Sequence, residues 1–310
     1  MESQPKSYVA VDIAKQKLDV RTEDHMRMEI PNDKAGIKKL INTLQKIPGC
    51  HVVCEATGGY ERLLLQMLHA GNIPVSLVSA ARVRDFAKSD GIRAKTDPID
   101  TQVILRFAQD KKPRPTSPPS EKQQKIAALM DRREHLSEQL KREKTRLKNS
   151  PEITHGSIKK MIAMLKQQIK DIQRQIEDLV DADPHMKRAC EVLTSVKGIG
   201  YVTVWSIIAY LPEIHRLSRN EVVALAGVAP YNRDSGQTQM KRSIFGGRSK
   251  IRRVLYLATK SAASHNEVIH PYVQGLRARG KPYKCAIVAA MRKMLLHIRS
   301  LLNKYEIQFA

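Results

Sequence analysis

Apolar and polar positions change period several times along this chain, and each change marks an element. SYVAVDIA (7–14) is short, apolar and β-branched, the signature of a buried strand. KLDVRTE and HMRMEI follow at hairpin distance as further short strands. Pro31-Asn32-Asp33 then opens a helix, with Ile37, Leu40, Ile41 and Leu44 recurring on one face. HVVCEA (51–56) reads as another buried strand. Gly58-Gly59 turns it into a helix containing Leu63, Leu64, Leu65 and Leu68, and IPVSLVSA (73–80) is a third core strand. The order β-β-β-α-β-α-β-α predicts an α/β body, a mixed sheet covered by helices.

KKPRPTSPPS (111–120) breaks the pattern with proline and positive charge, and predicts a stiff, extended linker. Beyond it Leu129, Leu136, Leu140 and Leu147 keep partial heptad spacing, with Arg133 and Glu143 at intervening core positions. After Asn149-Ser150-Pro151, the residues Ile158, Ile162, Leu165, Ile169, Ile172, Ile176 and Leu179 alternate steps of four and three. That is a coiled-coil seam, and two such helices in series predict an antiparallel hairpin whose seam also suits pairing of two copies. The same spacing serves an ordinary pair of bundle helices. From residue 185 the chain is mainly helical, over Tyr201–Leu211, Asn220–Val228, Ser249–Ala263 and Tyr283–Leu302. The expected layout is an α/β domain over 1–110, a linker over 111–120, a helical hairpin over 121–184 and a helical domain over 185–310.

Charge separates the two halves. Of 310 residues, 54 are Lys or Arg and 31 are Asp or Glu, a net charge of +23. Residues 1–110 carry 16 basic and 14 acidic side chains, against 38 and 17 in 111–310. An excess of that size predicts a polyanionic partner, because cations placed near phosphates release condensed counterions. The four cysteines form no CxxC pair with histidine partners, so zinc is not expected and a reduced, cytoplasmic chain is the simpler reading. The first residues lack an apolar leader core, and no apolar run reaches the ~20 residues a membrane span needs.

Four carboxylates stand at places where acids are expensive unless they have work to do. Asp12 and Glu55 end apolar strands, and an unpaired charge there costs several kcal/mol. Asp97 and Asp100 lie in Lys95-Thr96-Asp97-Pro98-Ile99-Asp100, where Pro98 suits a first helical turn and the three-residue step puts both acids on one edge. Hard oxygen ligands in that number are what two Mg²⁺ ions need to clamp a phosphodiester, although Asp97 alone also reads as a helix cap.

VDIAKQKLDV (11–20), CEATGGYE (54–61) and KTDPID (95–100) resemble the three acidic motifs of the DEDD transposases of the IS110 insertion-sequence family, which includes the IS1111 subgroup and the pilin-gene invertases. VKGIGYVTVWSIIAYLPEI (196–214), ALAGVAPYNRDSG (224–236) and IRRVLYLA (251–258) resemble the same family in order and spacing. The likeness spans nearly the whole chain. Thr101 replaces the family's usual alanine, and Ser79-Ala80 its usual Asn-Pro. The resemblance implies a RuvC-like, RNase H-type front domain with Asp12, Glu55, Asp97 and Asp100 as ligands to two Mg²⁺ ions, for which Mn²⁺ can substitute. It implies Ser235 as nucleophile, forming a 5′-phosphoserine, and a structured bridge RNA that pairs with donor and target DNA. It also implies active sites shared between protomers, hence a homodimer through the coiled coil and a tetramer in the synaptic complex, associated with the nucleoid.

Taken by residues alone, Asp234-Ser235-Gly236 is equally a polar turn. A serine hydroxyl attacks phosphorus only with its proton removed and the leaving oxygen stabilised, both of which magnesium assists. Lys197-Gly198-Ile199-Gly200 has the composition of a helix-hairpin-helix turn offering amides to a phosphate, and also of a simple helix stop. The segment from Lys241 and Arg242 through Arg248, Lys250, Arg252 and Arg253 is dense in cations and glycines, suited to drape over a phosphate backbone or to form a solvated face. A resolvase using metal-activated water and a non-catalytic RNA-binding scaffold are the rival readings. The first predicts no covalent adduct, and the second predicts that Asp12→Ala leaves activity intact.

Overall fold

Residues of β1 (Ser7–Ile13) alternate between two apolar layers, which makes this strand the centre of its sheet. In the computed structural model, which describes residues 7–91, 97–231 and 243–309, the chain divides into two compact units, 1–118 and 119–310. The first unit continues through β2 (Lys17–Thr22), β3 (Arg27–Pro31), α1 (Lys34–Leu44), β4 (Cys50–Glu55), α2 (Arg62–Ala70), β5 (Val75–Val78), α3 (Ala80–Ser89) and α4 (Asp97–Lys111). Its five strands lie in the order β3-β2-β1-β4-β5. β1 to β3 are antiparallel neighbours, while β1, β4 and β5 run parallel.

On one face Val9, Val11, Leu18, Val20 and Val52 pack against Ile37, Leu40 and Leu44 of α1 and Leu64 and Leu68 of α2. On the other, Tyr8, Ala10, Val53 and Val78 pack against Val83 of α3 and Ile104, Phe107 and Ala108 of α4. Asp33 caps α1 by accepting from the Gly36 amide at 2.7 Å. The proline-rich stretch after α4 is extended, as its composition predicts, but it is tied down. Ser76 Oγ donates to the Arg114 carbonyl at 2.7 Å, and the Thr116 amide donates to the Val75 carbonyl at 2.8 Å. Thr116 Oγ1 accepts from the Leu77 amide at 3.0 Å, so residues 113–116 cover the outer edge of β5.

The second unit begins with α5 (Glu121–Asn149), opened by a capping box between Ser120 and Gln123, and α6 (His155–Asp181) returns beside it. Lys122 near the start of α5 reaches Asp183 just past α6 at 3.3 Å, so the pair is antiparallel. Leu136, Ile158, Ile162 and Leu165 are buried between the two helices. This part of the seam is thereby filled within the chain. At its base Ile126, Met130, Ile176 and Val180 join a core built around Trp205, Ile208, Leu255 and Leu295. That core belongs to α7 (Pro184–Thr194), α8 (Tyr201–Tyr210), α9 (Arg219–Leu225), α10 (Ser249–His265), α11 (Ile269–Ala278) and α12 (Tyr283–Lys304). A short antiparallel pair, β6 (Pro230–Tyr231) with β7 (Ser243–Ile244), lies between α9 and α10. Among the described residues no helix is long and apolar enough to cross a membrane.

Candidate catalytic face and basic elements

In the parallel pairing of β1 with β4, Val11 stands opposite Cys54, so the next residues, Asp12 and Glu55, are neighbours across the two strands. Both lie in the strand phase of Tyr8, Ala10 and Val53, and so belong to the face that α4 covers. The direction of α4 follows from its far end. Gln109 donates to Glu23, which follows β2 at the end of the sheet where β1 begins, at 3.3 Å. The helix therefore runs antiparallel to β1, with Ala108, Ile104 and Thr101 successively buried against the sheet. Its first turn, starting at Asp97 and holding Asp100, is directed to the end of β1 and β4 where Asp12 and Glu55 stand. Asp12 is half-buried, and its Oδ1 accepts from the Ile13 amide at 2.9 Å.

Two further acids, not singled out by the sequence, share this face. Asp12 pairs with Asp19 on β2, and Asp19 pairs with Glu29 on β3. A row Glu55–Asp12–Asp19–Glu29 thus crosses four strands. Lys17 offsets its outer part, 3.2 Å from Asp19 and 3.0 Å from Glu29. The signal for Asp19 was its period-two relation to Lys17 in the second strand, but only the pairing register shows that it stands beside Asp12.

The donor chemistry at this end of the face fits a hard divalent cation: carboxylate oxygens from two strand ends and a helix start, with the imidazole of His51 at the opposite end of β4, opposite Tyr8. Cys54 precedes Glu55 but points to the opposite layer, and burial pushes its thiol up to about 12. Among the described residues no three His, Cys, Asp or Glu side chains are drawn together into a metal-holding group. The side chain of Asp97 lies outside the described residues.

Ser235, Lys241 and Arg242 also lie outside the described residues, between β6 and β7. The remaining cations of that segment have partners within the second unit. Arg248 donates to the Tyr210 carbonyl at 2.7 Å and to Glu213 at 2.5 Å. Lys250 pairs with Asp131, which also accepts from the Tyr210 hydroxyl, and Arg253 pairs with Glu134. Arg252 donates to the Gly246 carbonyl. Arg248, Lys250 and Arg253 of the expected phosphate-gripping segment thus also tie α10 to α5 and to the end of α8.

The Gly198 turn likewise has a packing reason. Gly198 has φ +101°, and a Cβ there would lie 2.6 Å from the Ala262 Cβ on α10. Gly200 is different: its φ is −103°, and an added Cβ would meet nothing within 4 Å. Lys197 is exposed and pairs with Glu267 at 2.8 Å. Near β6, Gly227 (φ +68°) leaves room for the Gly246 carbonyl, which an added Cβ would meet at 2.3 Å.

Residues 9–150 match a DEDD transposase model of the IS110 type, described as a transposase, and residues 190–274 match the model "Transposase IS116/IS110/IS902 family". The chain is similar to the pilin gene-inverting proteins of Moraxella lacunata and Moraxella bovis, 27% identical to each over 301 residues, 94% of either chain. It is 23% identical over 270 residues to the transposase for insertion sequence element IS1111A of Coxiella burnetii, covering 75% of this chain and 71% of that one.

Proposed function

The chain belongs to the IS110 family of transposases, and on that premise we propose that it is a DNA recombinase that cuts and rejoins strands with a carboxylate metal site and Ser235. The observation that carries this reading is the placing of Asp12 and Glu55 side by side, on the face to which the first turn of α4 is directed. In this reading the first unit is a RuvC-like, RNase H-type domain, and Asp12, Glu55, Asp97 and Asp100 hold two Mg²⁺ ions. When bound, such ions would supply Lewis-acid polarisation of the phosphate and lower the pKa of an attacking hydroxyl.

The chain's own residues do the rest. Asp12 and Glu55 are fixed by strands and Asp100 by a helix whose Thr101, Ile104 and Ala108 are buried, so the oxygen donors need little reorganisation. Ser235 Oγ attacks phosphorus and gives up its proton. The Oγ–P bond forms as the P–O3′ bond breaks, and the 3′-oxygen leaves as a hydroxyl. Covalent phosphoserine conserves the bond energy, so a 3′-hydroxyl from another strand can displace Ser235 and rejoin the DNA without an external energy source. A bridge RNA pairing with donor and target DNA, and active sites shared between protomers in a dimer or tetramer, complete the proposal. Their support is the family resemblance and the basic charge of residues 111–310.

The test uses DNA flanking the chain's own gene, the RNA that co-purifies with the protein, and Mg²⁺. A protein–DNA adduct should survive denaturation and vanish in Ser235→Ala. Asp12→Asn and Glu55→Gln should reduce it by at least 10²-fold, the scale of losing one transition-state contact, without lowering thermal stability. Strand cleavage undiminished in Ser235→Ala would replace this reading with water attack.

A further inference from the structure

Charge on the α5–α6 hairpin is segregated along its length. Residues 141–170, the half nearest the connecting turn, carry nine Lys or Arg against two acids, whereas the base, 121–140 with 171–184, carries five against nine. Within the distal half six of the seven lysines are also gathered on one face. Leu140, Glu143 and Leu147 of α5 are turned at least partly inward in the seam spacing, as are Ile158, Leu165 and Ile169 of α6. Lys141, Lys144 and Lys148 each directly follow one of the former, and Lys159, Lys166 and Lys170 each directly follow one of the latter. One residue past the seam is a rotation of about 100° about either axis. In an antiparallel pair those rotations have opposite hand when viewed from one end, so both sets of lysines come to the same face of the hairpin.

Residues that precede the seam fall on the opposite face and differ in kind: Arg142 and Arg146 with Met161 and Met164. All six lysines are exposed, and among the described residues none makes an ion pair. Toward the base the lysine face fades through Ser137 and Gln173 to Glu134 and Glu177.

We propose that this six-lysine face binds the phosphate backbone of duplex DNA without regard to sequence. The α6 lysines extend over about 16 Å at 1.5 Å per residue, and helix axes about 8–10 Å apart set the second row. Two rows of that length and separation match phosphates flanking a groove over roughly five base pairs. Lysine ammoniums act as point charges rather than bidentate readers of base edges, which suits backbone contact. Residues 121–181 contain no Phe, Trp or Tyr, so the hairpin offers no platform for stacking unpaired bases, and a duplex is the favoured partner over a single strand. The inference rests on the DNA-acting family and is independent of how Ser235 or the carboxylates work.

The experiment measures binding of the full chain to a 30-base-pair mixed-sequence DNA duplex by fluorescence anisotropy across a NaCl series. A variant with Lys141, Lys144, Lys148, Lys159, Lys166 and Lys170 all changed to Gln should keep its helical circular dichroism and melting temperature. Its log–log salt slope should shrink by about 5, at about 0.9 per lost phosphate contact, and its affinity at low salt should fall on the order of 100-fold. Changing only Lys159, Lys166 and Lys170 should remove about half of that slope. Met161→Gln with Met164→Gln, on the opposite face, should leave the slope unchanged. An unaltered slope in the six-lysine variant, or a loss confined to structured RNA with duplex DNA bound as before, would overturn the proposal. The Ser235 adduct is scored separately: slope loss where even the unaltered chain forms no adduct would count against the recombinase reading and leave this one standing.

Discussion

Alanine at Gly198 should destabilise the helical unit, and alanine two residues later should not. At Gly198 φ is +101°, outside the range L side chains occupy readily, which costs about 1–2 kcal/mol. The added methyl would also lie 2.6 Å from the Ala262 Cβ and 2.8 Å from the backbone nitrogen and Cα of Ala262. Neither of these is the yielding end of a flexible side chain, so α10 or the turn must shift, a strain of about 1–3 kcal/mol. Together these give roughly 3 kcal/mol, or about 6–12 °C off the melting temperature of a unit this size. Gly200→Ala meets no atom within 4 Å and should stay within about 0.5 kcal/mol. Thermal unfolding followed by circular dichroism, beside duplex-DNA affinity, separates packing from phosphate binding. If Gly198→Ala melts within 1 °C of the unaltered chain, the close approach to Ala262 is wrong. If Gly200→Ala keeps its stability but loses DNA affinity tenfold, the turn's amides do meet a phosphate.

His51 is buried beside Tyr8, bonded to Ser76 at 2.8 Å, and burial lowers its pKa below 6.5. The unfolded chain therefore takes up a proton first as pH falls; this part of the stability is whole above pH 6.5 and lost downward through the folded value. Melting temperatures between pH 8 and 5 should fall less in His51→Gln than in the unaltered chain, and parallel curves would refute the assignment. Arg248→Ala should cost about 1–2 kcal/mol in the second unit, discounted for its partial exposure, by releasing Glu213 and the Tyr210 carbonyl. A Glu213→Ala chain destabilised to a similar degree supports that tie, whereas an Arg248→Ala chain of full stability that loses only DNA affinity rejects it.

The α/β front and the helical back were legible because alternation and 3.6-residue spacing are local signals. Asp12 and Glu55 stood out for a local reason too, since a carboxylate ending a run such as SYVAV or HVVC needs an explanation. What local patterns do not carry is register. Asp19 and Glu29 join the acidic row only through strand pairing, and nothing near them in sequence says which residue they face. The partners of cations are hidden for the same reason. Lys250 and Arg253 each find an acid 119 residues away on α5, and Arg248 finds one 35 residues back. A basic run with distant carboxylate partners is indistinguishable, in sequence, from one awaiting phosphate. The seam of α6 was readable from its steps of four and three, but that α5 of the same chain fills it was settled by the short turn at 150–154.

The strap formed by residues 113–116 bears on how the front unit matures. Until Thr116 has left the ribosome, β5 presents bare amides and carbonyls, the kind of rim that recruits strands from other nascent chains. Once it emerges, the same polypeptide can seal that rim before α5 has left the ribosome. The proline-rich stretch thus acts as a stopper delivered in time, and a chain cut short at residue 112 should be more prone to clump than one ending at 118.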